Sequence, residues 1–150
     1  MKIREAMSKD IKKISPEATV KETMQEFFNI KRTGFLVIDK ENKLVGVVTE
    51  KDILRSILPS YLKSVGRFIY EENPKGIKNK IEELFKLKVK DIMFKDVVSV
   101  KDDATLCEAA HIMVTQGIRQ LPVVNERGIV VGVIGRNEVL KKLIELDAGI

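Results

Sequence analysis

Thr49 and Asp52 are the residues whose types and spacing could do chemistry. They stand in Gly46-Val-Val-Thr49-Glu-Lys-Asp52, where a β-rich apolar run gives way to a helical pattern. At such a junction a helix N-terminus offers unbonded N–H groups and the positive end of its dipole to an anion, and a carboxylate one turn in can accept both hydroxyls of a cis-diol. The same spacing is that of a plain capping box, hydroxyl to the N3 amide and carboxylate back to the cap. Thr19-Val-Lys-Glu22 and Thr105-Leu-Cys-Glu108 have it too, with no ligand implied. Spacing alone leaves both readings open. The chain has one His and one Cys, so it cannot build a His/Cys metal cluster from its own residues. His111 reads as a surface or partly buried imidazole, and Cys107, with no base beside it, as an inert thiol. No nucleophile–base pair emerges. The expectation is a protein that binds rather than catalyses, with no catalytic cofactor and no metal.

The elements that position this pair belong to a chain of 150 residues, 44% apolar and 33% charged. That length predicts one globular domain, or two small units sharing a core, large enough to need no disulfide or metal staple. The opening residues lack the apolar core of a signal peptide, and no uncharged run approaches the ~20 residues of a membrane span. The expected location is the cytoplasm. Of the net charge of +5, +4 falls between Ser60 and Lys95, where nine Lys/Arg stand against five acids. Both signs are mixed there, which favours a solvated face over a nucleic-acid contact.

The chain repeats itself. Sliding residues 3–57 forward by 86 gives 11 identities in 55 positions without a gap, among them Met7 on Met93, Thr19 on Thr105, Glu22 on Glu108 and Val45-Gly46-Val47 on Val131-Gly132-Val133. Apolar pattern, glycines and turns keep the same register. Each copy predicts a short extended stretch, a helix, a hairpin and a second helix. In the first copy Asp10–Ser15 is the extended stretch. Val20, Met24, Phe27 and Phe28 then form a helical stripe, Phe35–Asp39 and Leu44–Thr49 the hairpin, and Ile53, Leu54, Ile57 and Leu58 a core-facing stripe that Pro59 ends. The second copy offers Leu106, Ala109, Ala110, Met113 and Val114, then Leu121–Asn125 and Ile129–Ile134, then Val139, Leu140, Leu143 and Ile144. Between the copies, Tyr61–Ile69 and Ile77–Phe85 predict two amphipathic helices about a turn at 72–76.

Val89-Lys-Asp-Ile-Met93 opening a repeat, Gln120-Leu-Pro-Val-Val124 entering a hairpin and Leu44-Val-Gly-Val-Val-Thr-Glu-Lys-Asp-Ile-Leu54 leaving one resemble a tandem pair of CBS domains, the cystathionine beta-synthase motif. The resemblance covers about 115 of the 150 residues, and the chain divides as a first repeat over 1–58, a helical segment over 59–88 and a second repeat over 89–150. It implies an α/β fold of two β-α-β-β-α repeats packed by their small sheets about a pseudo-two-fold axis. The clefts of such pairs often bind adenosine-containing ligands, namely AMP, ADP, ATP or S-adenosylmethionine. Pairs commonly form homodimers, and the expected role is regulatory, toward a protein partner that the sequence does not name.

The resemblance also assigns residues. Asp52 would accept the ribose hydroxyls and Thr49 would face the phosphate end. Thr33 and Gly34 would precede the hairpin, and an early strand carrying Met93, Asp96, Val97 and Val98 would flank the adenine. Ile118 and Arg119 would close the other side, with Arg119 either on phosphate or in a surface salt bridge. In the second repeat Gly135 and Glu138 stand where Thr49 and Asp52 would, so that cleft is expected to bind tenfold or more weakly. A dimerisation or interaction module without a small-molecule ligand is the alternative.

Overall fold

The computed structural model describes residues 1–31, 34–58 and 74–149. Thr33, Pro59 and the helix expected over Tyr61–Ile69 lie outside them. In the first repeat β1 (Lys13–Ile14) leads into α1 (Val20–Ile30), then β2 (Gly34–Ile38), β3 (Leu44–Thr49) and α2 (Glu50–Ser56). Two helices follow, α3 (Pro74–Lys86) and the single turn α4 (Val89–Ile92). The second repeat runs β4 (Val100–Lys101), α5 (Leu106–Gln116), β5 (Gln120–Val124), β6 (Val130–Gly135) and α6 (Arg136–Asp147). Both repeats therefore have the β-α-β-β-α order.

Local chemistry explains the starts. The Thr19 hydroxyl accepts the Glu22 N–H at 3.1 Å and the Thr105 hydroxyl that of Glu108 at 3.2 Å, while each glutamate accepts the threonine N–H in return. These are working capping boxes. α3 begins at Pro74, inside the stretch expected as a turn: proline at the first helical position lacks only an N–H that no helix would have bonded. The early strands are shorter than expected. Only Lys13–Ile14 pair in the first, and of Met93–Val98 none belongs to a strand, Phe94 making an isolated bridge before β4 starts at Val100.

The strands form two three-stranded sheets, ordered β1-β2-β3 and β4-β5-β6. β1 runs parallel to β2, Ile14 opposite Val37, and β4 parallel to β5, Val100 opposite Val123. Each parallel pair is joined through its helix, as a parallel connection requires. β5 and β6 are antiparallel.

In space the chain sorts into two compact units that do not follow the repeat boundaries. One, here the Thr49 unit, comprises Lys13–Val37 and Val45–Lys95; the other, the Gly135 unit, comprises Met1–Lys12, Ile38–Leu44 and the chain from Asp96 onward. Each repeat's opening segment thus serves the unit built on the other repeat's hairpin. In the Gly135 unit the Ile3 N–H donates to the Ala104 carbonyl at 2.8 Å, and Ser8 and Val133 exchange both backbone bonds. Ile3 is fully buried among Leu106, Met113, Leu121, Val123 and Ile134. In the Thr49 unit the Val89 N–H donates to the Ala18 carbonyl at 2.8 Å, Phe94 and Val47 exchange both bonds, and Val89 is fully buried with Phe35, Val37 and Val48. The hairpin glycines permit this approach. A Cβ on Gly46 would stand 2.7 Å from the Met93 sulfur and 2.8 Å from the Phe94 carbonyl; on Gly132 it would stand 2.7 Å from the Met7 sulfur and the Ser8 carbonyl.

The helical stripes are narrower than expected. α1 buries Val20 and Thr23, whose hydroxyl donates to the Thr19 carbonyl, and leaves Phe28 79% exposed; Val114, its equivalent, is 82% exposed. α2 buries Ile53 but not Leu54 or Ile57, and α6 buries Val139 but not Leu140, Leu143 or Ile144. A small sheet covers one strip of a helix, so the second row of each stripe faces outward in the single chain. No helix among the described residues is long and apolar enough to cross a membrane.

Candidate functional site

β3 ends at Thr49 and α2 begins at Glu50, which sets Asp52 three residues on, just under one turn from the cap. Asp52 is only 8% exposed. Its Oδ2 accepts the Thr49 N–H at 2.8 Å and the Thr49 hydroxyl at 3.1 Å. This differs from Thr19 and Thr105, whose hydroxyls accept from the helix. Here the hydroxyl donates to the carboxylate, and no side-chain bond reaches the N3 amide. The other oxygen, Oδ1, has among the described residues only the Arg55 guanidinium at 3.5 Å, and Arg55 is mostly exposed. An ion pair of that length on a solvated side chain is weak. Asp52 therefore keeps one oxygen bound to the cap and one free of the backbone, on a carboxylate already desolvated and held still.

Gly34 lies beside this pair. A Cβ there would stand 3.4 Å from the Thr49 methyl group. Met93 packs on Gly46 and on the edge of the Phe35–Val37–Val48–Val89 core. Thr49, Asp52, Gly34 and Met93 thus belong to the Thr49 unit. Asp96, Val97, Val98, Ile118 and Arg119 belong to the Gly135 unit. There Val98 and Ile118 both pack on the Ile3 core, Val97 is half-buried, and Asp96 and Arg119 are exposed. Among the described residues Arg119 makes no salt bridge. Its carbonyl accepts the Arg136 N–H at 3.2 Å, which sets it beside the start of α6.

Two features escaped sequence reading. Arg55 as the partner of Asp52 is signalled only by an i, i+3 spacing common on any helix. Glu17 receives hydrogen bonds from Lys88 at 2.7 Å and Lys90 at 3.0 Å, across more than seventy residues. Those bonds hold the Glu17 carboxyl down at about 2 and raise the Lys88 ammonium. His111 and Cys107 are exposed. Among the described residues no group of three or more His, Cys, Asp or Glu is placed to hold a metal.

Comparison with known proteins adds the family. The profile described as CBS domain matches residues 3–59 and again 89–145. An uncharacterized protein of Methanocaldococcus jannaschii is 32% identical, over 96% of this chain and 92% of its own length. The chloroplastic CBS domain-containing protein CBSX1 of Arabidopsis thaliana is 31% identical, over 91% of this chain and 61% of its own. Among solved structures, CBSX2 of Arabidopsis thaliana in complex with AMP superposes with a TM-score of 0.71 at 23% identity, over 97% of this chain and 98% of that one.

Proposed function

The chain belongs to the CBS domain family, as a tandem pair, and on that premise we propose that it is a regulatory module, not an enzyme, that senses an adenosine-containing ligand. The observation that carries this reading is the Asp52 carboxylate: buried, fixed by Thr49 through one oxygen, and, among the described residues, approached at the other by the Arg55 guanidinium alone. Cap and ligand roles coexist, because the ribose takes the oxygen that, among the described residues, Arg55 alone approaches. AMP in complex with CBSX2, a protein of the same fold, supports an adenine nucleotide as the ligand class. ATP, ADP and S-adenosylmethionine share the ribose that Asp52 would read. Gly34, beside Thr49, and Met93, packed on Gly46, belong to the same unit as Asp52 and would line its side of the ligand.

A native-state ligand at a hundred times its dissociation constant contributes about 2.7 kcal/mol, a melting shift on the order of 5–10 °C at this size. A thermal-shift screen with AMP, ADP, ATP and S-adenosylmethionine is the test. A shift of less than a degree with all four favours the interaction-module reading.

One observation supports self-association as well. The exposed apolar residues recur at equivalent positions of the two repeats: Phe28 and Val114, Leu54 and Leu140, Ile57 and Leu143. Large apolar side chains exposed in this number favour burial against a partner. Sedimentation is expected to give a homodimer, twice the chain mass of 17.0 kDa; a monomer at micromolar concentration contradicts it.

A further inference from the structure

The second repeat carries Gly135 and Glu138 where the first carries Thr49 and Asp52. Gly135 is not required by its backbone, since a φ of −115° is open to any residue. It is required for room. The Glu138 carboxylate folds back over the cap, its Oε2 accepting the Gly135 N–H at 2.8 Å. A Cβ built on Gly135 would stand 2.8 Å from that same oxygen and 3.4 Å from the Arg119 carbonyl. Asp52, one methylene shorter, reaches its cap amide at the same 2.8 Å with a threonine side chain in place, and takes the hydroxyl too.

Each pair is consistent with itself, and mixed pairs are not. Threonine at 135 would evict the Glu138 carboxylate, since the near atom is the end of a flexible side chain. Aspartate at 138 would find no hydroxyl to fix it. The supporting ion pair differs as well: Lys141 stands where Arg55 does, and among the described residues it makes no ion pair with Glu138.

We infer that Gly135 and Glu138 are a matched pair that closes the second repeat to a ribose, so that the chain takes one adenosyl ligand, at Thr49 and Asp52. This rests on the reading of Asp52 as the ribose acceptor. Both carboxylates hold their cap amide through one oxygen at 2.8 Å, but only Asp52 is fixed by a hydroxyl as well, so Glu138 lacks the second bond that holds the first repeat's acceptor in place. The longer side chain also has more rotamer freedom to lose on turning outward to a diol. The two residues therefore determine ligand number jointly, and neither substitution alone opens the site.

The double variant Gly135→Thr/Glu138→Asp tests this beside its two singles. Each single is expected to lower the melting temperature by about 2–4 °C, and the double to recover most of the loss, since contacting residues do not act additively. In calorimetric titration with AMP the double variant is expected to bind one more AMP per chain than wild type, and each single no more. No added site in a folded double variant overturns the inference, as does a double variant less stable than both singles, or a wild type that takes two AMP. A wild type that takes none overturns the reading of Asp52 instead, and the difference between double variant and wild type still decides the pair.

Discussion

The Thr49 and Gly135 units share a backbone plan down to individual contacts, a methionine sulfur against a hairpin glycine, two exchanged backbone bonds and one fully buried aliphatic from the other repeat's opening segment, yet they place their charges differently. In the Thr49 unit Glu17 spans to both Lys88 and Lys90. The equivalent residues of the Gly135 unit are Asp103, Lys2 and Arg4, and among the described residues they form no ion pair. There Arg4 and Asp103 instead line an open cavity of about 260 Å³ with Asp102, Asn125, Glu126 and Arg127. At the caps the lengths are reversed: the shorter Asp52 takes both the cap amide and the threonine hydroxyl, and the longer Glu138 takes the cap amide beside a glycine. Backbone bonding and glycine contacts preserve the plan, while the charged side chains take different partners in the two units.

The largest test of the shared plan is Ile3→Ala. Removing a fully buried side chain from the Gly135 unit should cost about 2–5 kcal/mol in urea unfolding. Val89→Ala, its equivalent, should cost less because fewer buried carbons are lost. A negligible effect at Ile3 would mean that the opening segment does not belong to that core.

Next are Gly46→Ala and Gly132→Ala. The added Cβ meets a carbonyl oxygen at 2.8 and 2.7 Å, so the backbone must shift, at a cost of about 1–3 kcal/mol and nearly the same in both units. Thr19→Ala and Thr105→Ala should each cost about 1 kcal/mol, again alike, through loss of the cap.

The smallest effect should break the likeness. Glu17 has its pKa lowered, so its contribution to stability is present above its ordinary value of 4.5 and is lost as the pH falls from there toward 2. Glu17→Gln should flatten the acid side of the stability profile in that window. Because the triad is exposed, added salt should weaken the contribution as well. An unchanged profile would show that the Lys88 and Lys90 contacts do not persist in solution.

What was legible in the sequence was local. Thr19 and Thr105 announced helix starts because a cap needs only four residues, and the offset of 86 exposed the second copy without any knowledge of contacts. Less legible was everything that depends on a distant partner. Val89 and Ile3 have the same spacing whichever hairpin they serve, so the exchange of opening segments was invisible. Phe28 and Val114 lie at helical spacing from core residues, but periodicity does not say how wide a strip the sheet will cover. At the site, the Thr49–Asp52 spacing fitted a cap and a ligand pair equally. The direction of the hydroxyl, toward the carboxylate and not from the helix amide, separates it from the other two caps.

Calorimetric titration of AMP into wild type and Asp52→Ala tests the central claim most directly. The account predicts saturable binding near one AMP per chain in wild type and loss of most of it in a folded Asp52→Ala. Binding of equal strength in both proteins, or none to wild type by AMP, ADP, ATP or S-adenosylmethionine at millimolar levels (about 4 kcal/mol of binding free energy), would contradict it.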